Sequence, residues 1–497
     1  MTPTQKLGRG SFVYTAANLL QRSLSFFLLP LYTHYLSPND FGILAVVTTL
    51  NGFLSVLFTW SLPAAIGRFY FDYRDDPKTL QEFWGTVIIA VLFSSLIGGL
   101  ALLLTGSTIL KPVMGDIPFW PYIAIGISSL IFQPLFQVFL SAMQVQGQAG
   151  RFAIYSTVQL IIHLALILGL VILFGWKAEG PLFATLITSI LFAIVTLISF
   201  RKSFKWVFRI HLFKQAAKYS LPLVPHSLSA QILVVTDKFF LNTMISAASA
   251  GIYHIAFLFG TIVTTFVDSV NRAYVPVAME TLEDNEATSL QELKANGMTL
   301  IGGYCLLGTL VSLFSLEMLQ LFTAEPYHSA SRVIPFVAFA FVLRGIYYIL
   351  VNILMFKKDA TRWVSVGTFT GAIANIGLNW HLIPLYGMTG AALATLLSQL
   401  VMTIIIGKLG LKHEPIQWDY VKISLAFTIT LTLCIAVSRF SGSSPLLLFS
   451  IKLIISFLAF IGLGQYFNGQ KQYYFRLITR IPKLFKKPES ASSPKQD

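Results

Sequence analysis

Charged side chains are scarce in this sequence: Asp, Glu, Lys and Arg make up 11% of its 497 residues, against about 25% in ordinary globular domains. With 55% hydrophobic residues and a mean hydropathy of +0.72, that deficit excludes a water-soluble fold. Cysteine is nearly absent. Cys305 and Cys434 both fall in apolar runs, which gives no support to a disulfide framework or a metal site, and both read as packing residues. Acids are outnumbered, 21 against 35 basic residues, yet no folded nucleic-acid module accompanies the excess, so nucleic acid is not an expected partner. Phosphate-binding glycine loops and metal-ligand clusters are missing too. A membrane enzyme would gather acids, bases or metal ligands on a substantial loop at one face, whereas the outside loops here reach roughly a dozen residues. Asp75 and Asp76 sit in a short basic loop and read as solvated charge. No enzyme, and no organic cofactor, is expected.

What the sequence has in abundance is apolar runs of spanning length, about fourteen of them at about 20 residues each. The expected spans are 12–35, 41–66, 83–105, 119–143, 152–174 and 181–200, then 219–245, 251–275, 297–322, 332–356, 363–382, 388–407, 421–439 and 447–466. The first is interrupted by Asn18, Gln21 and Arg22 and has no small-residue cleavage end, so it reads as a retained helix. Lys and Arg collect on one side of this arrangement. Only Lys111, Lys177, Arg332 and Arg439 fall in loops of the opposite side. By the positive-inside rule both termini are cytoplasmic, and the basic tail from Lys471 to Lys487 is expected against anionic lipid.

The chain also repeats itself. Ser37-Pro-Asn-Asp-Phe-Gly42 returns as Ser246-Ala-Ala-Ser-Ala-Gly251, Ala149-Gly-Arg151-Phe152 as Ala360-Thr-Arg362-Trp363, and Gly180 with Ala184-Thr185-Leu186 as Gly390 with Ala394-Thr395-Leu396. The offset is about 210 residues each time, which marks a duplication. The expected fold is all-α and integral to the membrane, with two parallel six-helix lobes around a central cavity and two further helices. Its parts are an N-terminal lobe at 1–215, a C-terminal lobe at 216–412, the last two spans within 413–466, and a tail at 467–497. Parallel repeats of this kind are a transporter plan, with the substrate site between the halves and access alternating by rocking.

Specific stretches resemble a known family. Gly10-Ser-Phe-Val-Tyr14, Asn18, Leu29-Pro-Leu-Tyr-Thr33 and Leu36-Ser-Pro-Asn-Asp-Phe-Gly42 are similar to the first helix and turn of the polysaccharide biosynthesis, or oligosaccharide flippase, family. That family lies in the multidrug, oligosaccharidyl-lipid and polysaccharide exporter superfamily. Tyr219-Ser-Leu-Pro-Leu-Val-Pro-His226, Asp237-Lys238-Phe239-Phe240-Leu241, Gly251-Ile-Tyr253, Leu378-Asn379, Ile383-Pro384-Leu385-Tyr386-Gly387 and Gly390-Ala391-Ala392 extend the resemblance, which covers residues 10 to about 410. It implies a bacterial inner-membrane flippase that moves undecaprenyl-pyrophosphate-linked oligosaccharide, such as an O-antigen, capsule or exopolysaccharide unit, from the cytoplasmic to the outer leaflet. Membrane lipid and other polysaccharide assembly proteins are the further partners implied. Where the family leads one to expect Asp-Arg, this chain has Asp237-Lys238, which keeps the charge but loses the bidentate fork suited to phosphate.

Such a cargo needs fixed cations. Arg22 and Arg344 fall near mid-span, Lys238 in the outer half of the seventh span, and Arg68 and Arg272 at the cytoplasmic ends of the second and eighth. Together they would form a ladder of positive charge across the membrane. Ion pairing with Asp237 or Asp268 is the structural alternative for the deep arginines, and positive-inside topology by itself accounts for the pair at the ends. Proton or sodium coupling has Asp237, Asp268 and His226 as candidates, although Asp268 and Arg272 are spaced to pair on one helix face. Pro222 and Pro225 are the candidate hinge, and a static kink is the competing reading. The acidic stretch 280–292 is expected as a solvated connection between the lobes. Two other cargoes fit the architecture: a lipid-linked peptidoglycan precursor, and cationic drugs exported against a cation gradient. A lumen for cationic drugs should be acidic or aromatic, whereas Arg22, Lys238 and Arg344 lie deep in this one.

Overall fold

With no water to bond them, peptide groups in lipid must satisfy one another, so each apolar run closes into a helix. The structure, a computed structural model, describes residues 26, 28–201, 203–284, 286–356, 361–410, 416–438 and 445–467. Nearly all of the basic tail and most of the first span, Arg22 included, lie outside these residues. In chain order the first half comprises α1 (Leu29–Tyr35), α2 (Pro38–Thr59), α3 (Leu62–Tyr73), α4 (Pro77–Ile109), α5 (Ala124–Val145), α6 (Ala149–Leu168) and α7 (Glu179–Phe200). The linking helix α8 (Ile210–Ser220) leads to α9 (Leu223–Met244), α10 (Ala247–Asp284), α11 (Ala287–Leu313), α12 (Ser315–Phe322), α13 (Ile334–Phe356), α14 (Thr361–Tyr386) and α15 (Met388–Gly410). The chain is completed by α16 (Tyr420–Ser438) and α17 (Pro445–Phe467). Eleven helices among the described residues are long and apolar enough to cross a membrane, and the architecture is the all-α membrane fold expected. Helices α9 and α14 match them in length, at 22 and 26 residues, but interrupt their apolar faces with polar side chains.

The duplicated motifs meet each other. Ser37 caps α2 by accepting the Asp40 N–H at 3.2 Å, and the Asp40 carboxylate accepts the Ser37 N–H at 3.1 Å, a reciprocal capping box. Ser246 accepts the Ser249 N–H at 3.2 Å at the start of α10. Gly42 and Gly251 then pack backbone to backbone: a Cβ on Gly42 would stand 1.8 Å from the Ala247 carbonyl oxygen, and one on Gly251 would stand 2.5 Å from that of Pro38. Small residues at a helix crossing allow this close approach, which compensates in lipid for the missing hydrophobic drive. Around the crossing, the Tyr327 hydroxyl donates to the Leu36 carbonyl at 2.9 Å and the Asn242 amide to that of Met114 at 2.7 Å. This end of the bundle is sealed.

The apolar cores follow the same asymmetry. One core joins α2 to the second half, running from Val46, Val47 and Leu50 through Tyr253, Phe259 and Val337. A separate core belongs to the first half alone and contains Ile66, Phe83, Trp84, Phe139, Phe192 and Phe204. The halves therefore share hydrocarbon near the sealed end and keep their own toward the basic end.

Several boundaries differ from the expected ones. The second span does not continue to residue 66: Trp60 and Ser61 take left-handed conformations, φ 50° and 54°, and Pro63 starts α3 in a new direction. The ninth breaks at Phe314 between α11 and α12. The stretch 280–292 is largely helical, because α10 runs for 38 residues and α11 begins at Ala287. At about 1.5 Å per residue α10 far outruns a ~30 Å hydrocarbon layer, so the acidic residues ride on a helix end beyond it.

Candidate functional site

A buried carboxylate organises the second half. Asp237 on α9 is 1% exposed, and side chains from three other helices point at it. Tyr253 of α10 donates at 2.6 Å, Asn379 and Asn375 of α14 at 2.7 and 3.4 Å, and the Thr395 hydroxyl of α15 also donates to it. Asn379 further donates to Asn375 at 3.1 Å and Asn375 to Ser398 at 3.3 Å. Every one of these partners is electrically neutral. Burial of a carboxylate is costly unless its lone pairs are satisfied, which explains why α9 and α14 carry so many polar residues.

The adjacent Lys238 turns to a different face. It is 3% exposed, donates to Thr49 of α2 at 3.4 Å, and stands 4.7 Å from the centre of the Phe257 ring, a cation–π contact. Lys238 thus ties the second half to the first close to the sealed end, and in this conformation it is enclosed rather than open to a pathway. His254 lies nearby, its ring 5.6 Å from that of Phe41, with Nδ1 unpartnered among the described residues.

A second polar network lies between α10 and α13. Arg344 donates through Nε to the Tyr348 hydroxyl at 3.0 Å, and that hydroxyl donates to Asp268 at 3.1 Å. One turn on, Asn352 donates to Asn271 at 2.7 Å. Arg272 is exposed and donates to the Asp268 backbone carbonyl at 3.3 Å. Arg68, also exposed, pairs with Asp72 at 2.7 Å, and that carboxylate raises the guanidinium pKa above its ordinary value. His226 is exposed in the first turn of α9, Pro222 is its N-cap, and Pro225 follows within that turn. The two prolines thus stand where α8 hands over to α9. Lys238 is brought beside Asp237, and Arg344 is linked through Tyr348 to Asp268; His226 joins neither group.

Beside the α2–α3 break, walled by the first half except for Gln231, lies a polar cavity of about 490 Å³. Asn51, Thr59 and Ser61 line it from the broken span, Gln133 and Gln137 from α5, and Gln231 from α9. Sequence reasoning missed this feature and the partners of Asp237. The break is marked in the sequence only by Pro63, and Asn375, Asn379 and Thr395 are remote in the chain.

The arrangement is that of an all-helical, multi-pass membrane protein. Residues 7–282, more than half of the chain, match the family described as polysaccharide biosynthesis protein, and the chain belongs to that family. A Haemophilus influenzae protein described only as an uncharacterized membrane protein is 24% identical over 281 residues, 55% of this chain and 66% of the relative, just under two thirds of its length. Among solved structures, the fold is similar to a lipid II flippase, MurJ, in an inward closed conformation, with TM-score 0.69, 21% identity, and coverage of 94% of this chain and 100% of that one. It is also similar to an inward-facing multidrug resistance MATE family transporter of the MOP superfamily, with TM-score 0.62, 13% identity, and coverage of 82% and 96%. At these identities the likeness is one of fold.

Proposed function

We propose that this chain is a flippase that moves undecaprenyl-pyrophosphate-linked oligosaccharide from the cytoplasmic to the outer leaflet of a bacterial inner membrane by alternating access. The observation that carries the reading is the asymmetry of the lobe contact: one shared core and a glycine crossing at one end, separate cores and a polar cavity toward the other. Lys and Arg collect at the open end, which the positive-inside rule assigns to the cytoplasm. Cargo enters there. Arg68 and Arg272 meet its anionic part first and Arg344 follows. Lys238 becomes available only when the sealed end parts and its contact with Thr49 breaks.

Coupling falls to Asp237 rather than to Asp268 or His226. Its set is rich in oxygen, from the carboxylate and the hydroxyls of Thr395 and Tyr253. Hard cations such as sodium take oxygen ligands of this kind, and a proton on the carboxylate would also neutralise it. Either would draw α9 toward α14 and α15. Pro222 and Pro225, at the junction with α8, are the points about which α9 would swing.

The test is leaflet exchange of a fluorescent polyprenyl-pyrophosphate glycan in proteoliposomes, with and without a sodium or proton gradient. Gradient-stimulated exchange that is lost in Asp237→Asn supports the reading. Efflux of cationic dyes without glycan exchange, or exchange restricted to a peptide-bearing peptidoglycan precursor, would transfer the chain to one of the other two cargo classes.

A further inference from the structure

The polar cavity beside the α2–α3 break carries no charge. None of its thirteen lining residues among those described is Asp, Glu, Lys, Arg or His. At about 490 Å³ it falls within the ~300–1,000 Å³ of small-molecule sites. Its polar groups are amides and hydroxyls. Thr59 spends its proton on the Ser55 carbonyl at 2.7 Å, and Thr185 on that of Pro181 at 2.9 Å, so each hydroxyl presents lone pairs as an acceptor. Asn51, only 9% exposed, donates to the Gly126 carbonyl at 3.1 Å and to Ser129 at 3.3 Å, and its Oδ1 has no hydrogen-bond partner among the described residues. Gln133 and Gln137 lie one turn apart on α5, with Gln231 facing them from the other half. Left-handed residues at Trp60 and Ser61 cost about 1–2 kcal/mol each, and strain of this kind persists where a site uses it.

We infer that this cavity is a subsite for uncharged sugar residues of the cargo and that the pyrophosphate is held elsewhere, on the cationic side chains of the second half. The inference rests on the flippase reading and divides its site in two. Amide groups donate and accept at once and so match sugar hydroxyls, each of which does the same. A phosphate would call for Arg or Lys, and an acidic sugar would leave its carboxylate in the cavity without a cation to pair it. Gln133, Gln137 and Gln231 are therefore the residues that set glycan specificity. Because Gln231 belongs to the second half, a bound sugar bridges the halves and is released as they separate at this level.

Binding can be measured on the full chain in nanodiscs with three radiolabelled probes: bare polyprenyl pyrophosphate, the same lipid with a neutral hexose trisaccharide, and that trisaccharide with one uronic acid. The wild type should hold the neutral probe about tenfold more tightly than the bare lipid, the gain of one or two net hydrogen bonds, and the acidic probe no better than the bare lipid. Combined Gln133→Ala, Gln137→Ala and Gln231→Ala should return the neutral probe to the bare-lipid affinity and leave the bare lipid unchanged. Gln137→Ala alone, at an exposed side chain, should lose about threefold on the neutral probe while the protein stays monodisperse. Equal wild-type affinity for bare and neutral lipids, tight binding of the acidic probe, or variants that lose all lipids alike would overturn the subsite and leave the flippase standing. Failure of the wild type to bind any of the three would overturn the flippase reading, and the subsite with it.

Discussion

At the offset of 209 residues that relates Ser37–Gly42 to Ser246–Gly251, Asp237 in the second half corresponds to Leu28 in the first. Around Asp237 stand Tyr253, Asn375, Asn379 and Thr395; around Leu28 stand Ile167, Val171 and Ala184, a small closed hydrocarbon cluster. The same scaffold position is an oxygen-lined pocket in one lobe and oil in the other. A second contrast runs the opposite way. The first half breaks its α2–α3 span at Trp60 and Ser61 beside an uncharged cavity, while its counterpart α10 passes position 269 as unbroken helix and carries Asp268, Asn271 and Arg272. The buried carboxylate and its polar partners stand on the later helices, and the uncharged cavity stands beside the earlier break. The burden differs accordingly, since a buried carboxylate demands partners from several helices whereas a leucine demands only volume.

The largest expected effect tests what joins the halves. Gly42→Val and Gly251→Val should each destabilise the sealed conformation by about 3 kcal/mol or more, because the new side chain meets backbone that cannot move aside. Thermal unfolding in detergent and solvent accessibility of a cysteine placed at the crossing would both report it. Gly150→Ala, in a helix where a Cβ meets nothing within 4 Å, should leave the crossing closed and should not lower the unfolding temperature.

Exchanging chemistry between the counterparts comes next. Leu28→Asp should cost about 2.5–3.5 kcal/mol, the price of a carboxylate placed in apolar surroundings, and lower the yield of folded protein. Asp237→Asn should retain the fold, since an amide still fits among hydroxyls and amides, but abolish the ion-gradient response of leaflet exchange. If Leu28→Asp were tolerated as well as wild type, the two pockets would not differ in the way their linings indicate.

Smaller still are the paired backbone changes. Ser61→Gly should stabilise by about 1 kcal/mol by relieving the left-handed conformation, whereas Ser269→Gly in the continuous helix should destabilise by about 0.5 kcal/mol. Opposite signs in thermal unfolding would establish the break as a strained feature of the first half. At the bottom of the scale, Arg68→Ala removes an exposed pair with Asp72 and should leave thermal unfolding unchanged, which leaves any loss of transport attributable to substrate contact.

Much of the scaffold was legible because it depends on local composition. Spanning helices declare themselves through apolar length, and the similarity of Ser37 to Gly42 and Ser246 to Gly251, whose segments the structure packs together, is visible without any fold. Asp237 and Lys238 stood out because charge in an apolar run is costly. What each does was not legible: side chains adjacent in sequence point to different faces of a helix, and only packing reveals that one meets α14 and α15 while the other meets α2.

The sequence by itself determined that this chain lies in lipid, which end is basic, and that Asp237 and Lys238 are charges set in an apolar run. Those properties are sums over short windows, and lipid leaves the backbone few alternatives to helix. Tertiary structure alone decided that Gly42 and Gly251 touch, that the second span breaks at Trp60 and Ser61 just ahead of Pro63 instead of running on through it, that three other helices converge on Asp237, and that the cavity beside the break is neutral. Each of these is a relation between residues far apart in the chain, set by how helices pack and by which buried polar groups must find one another.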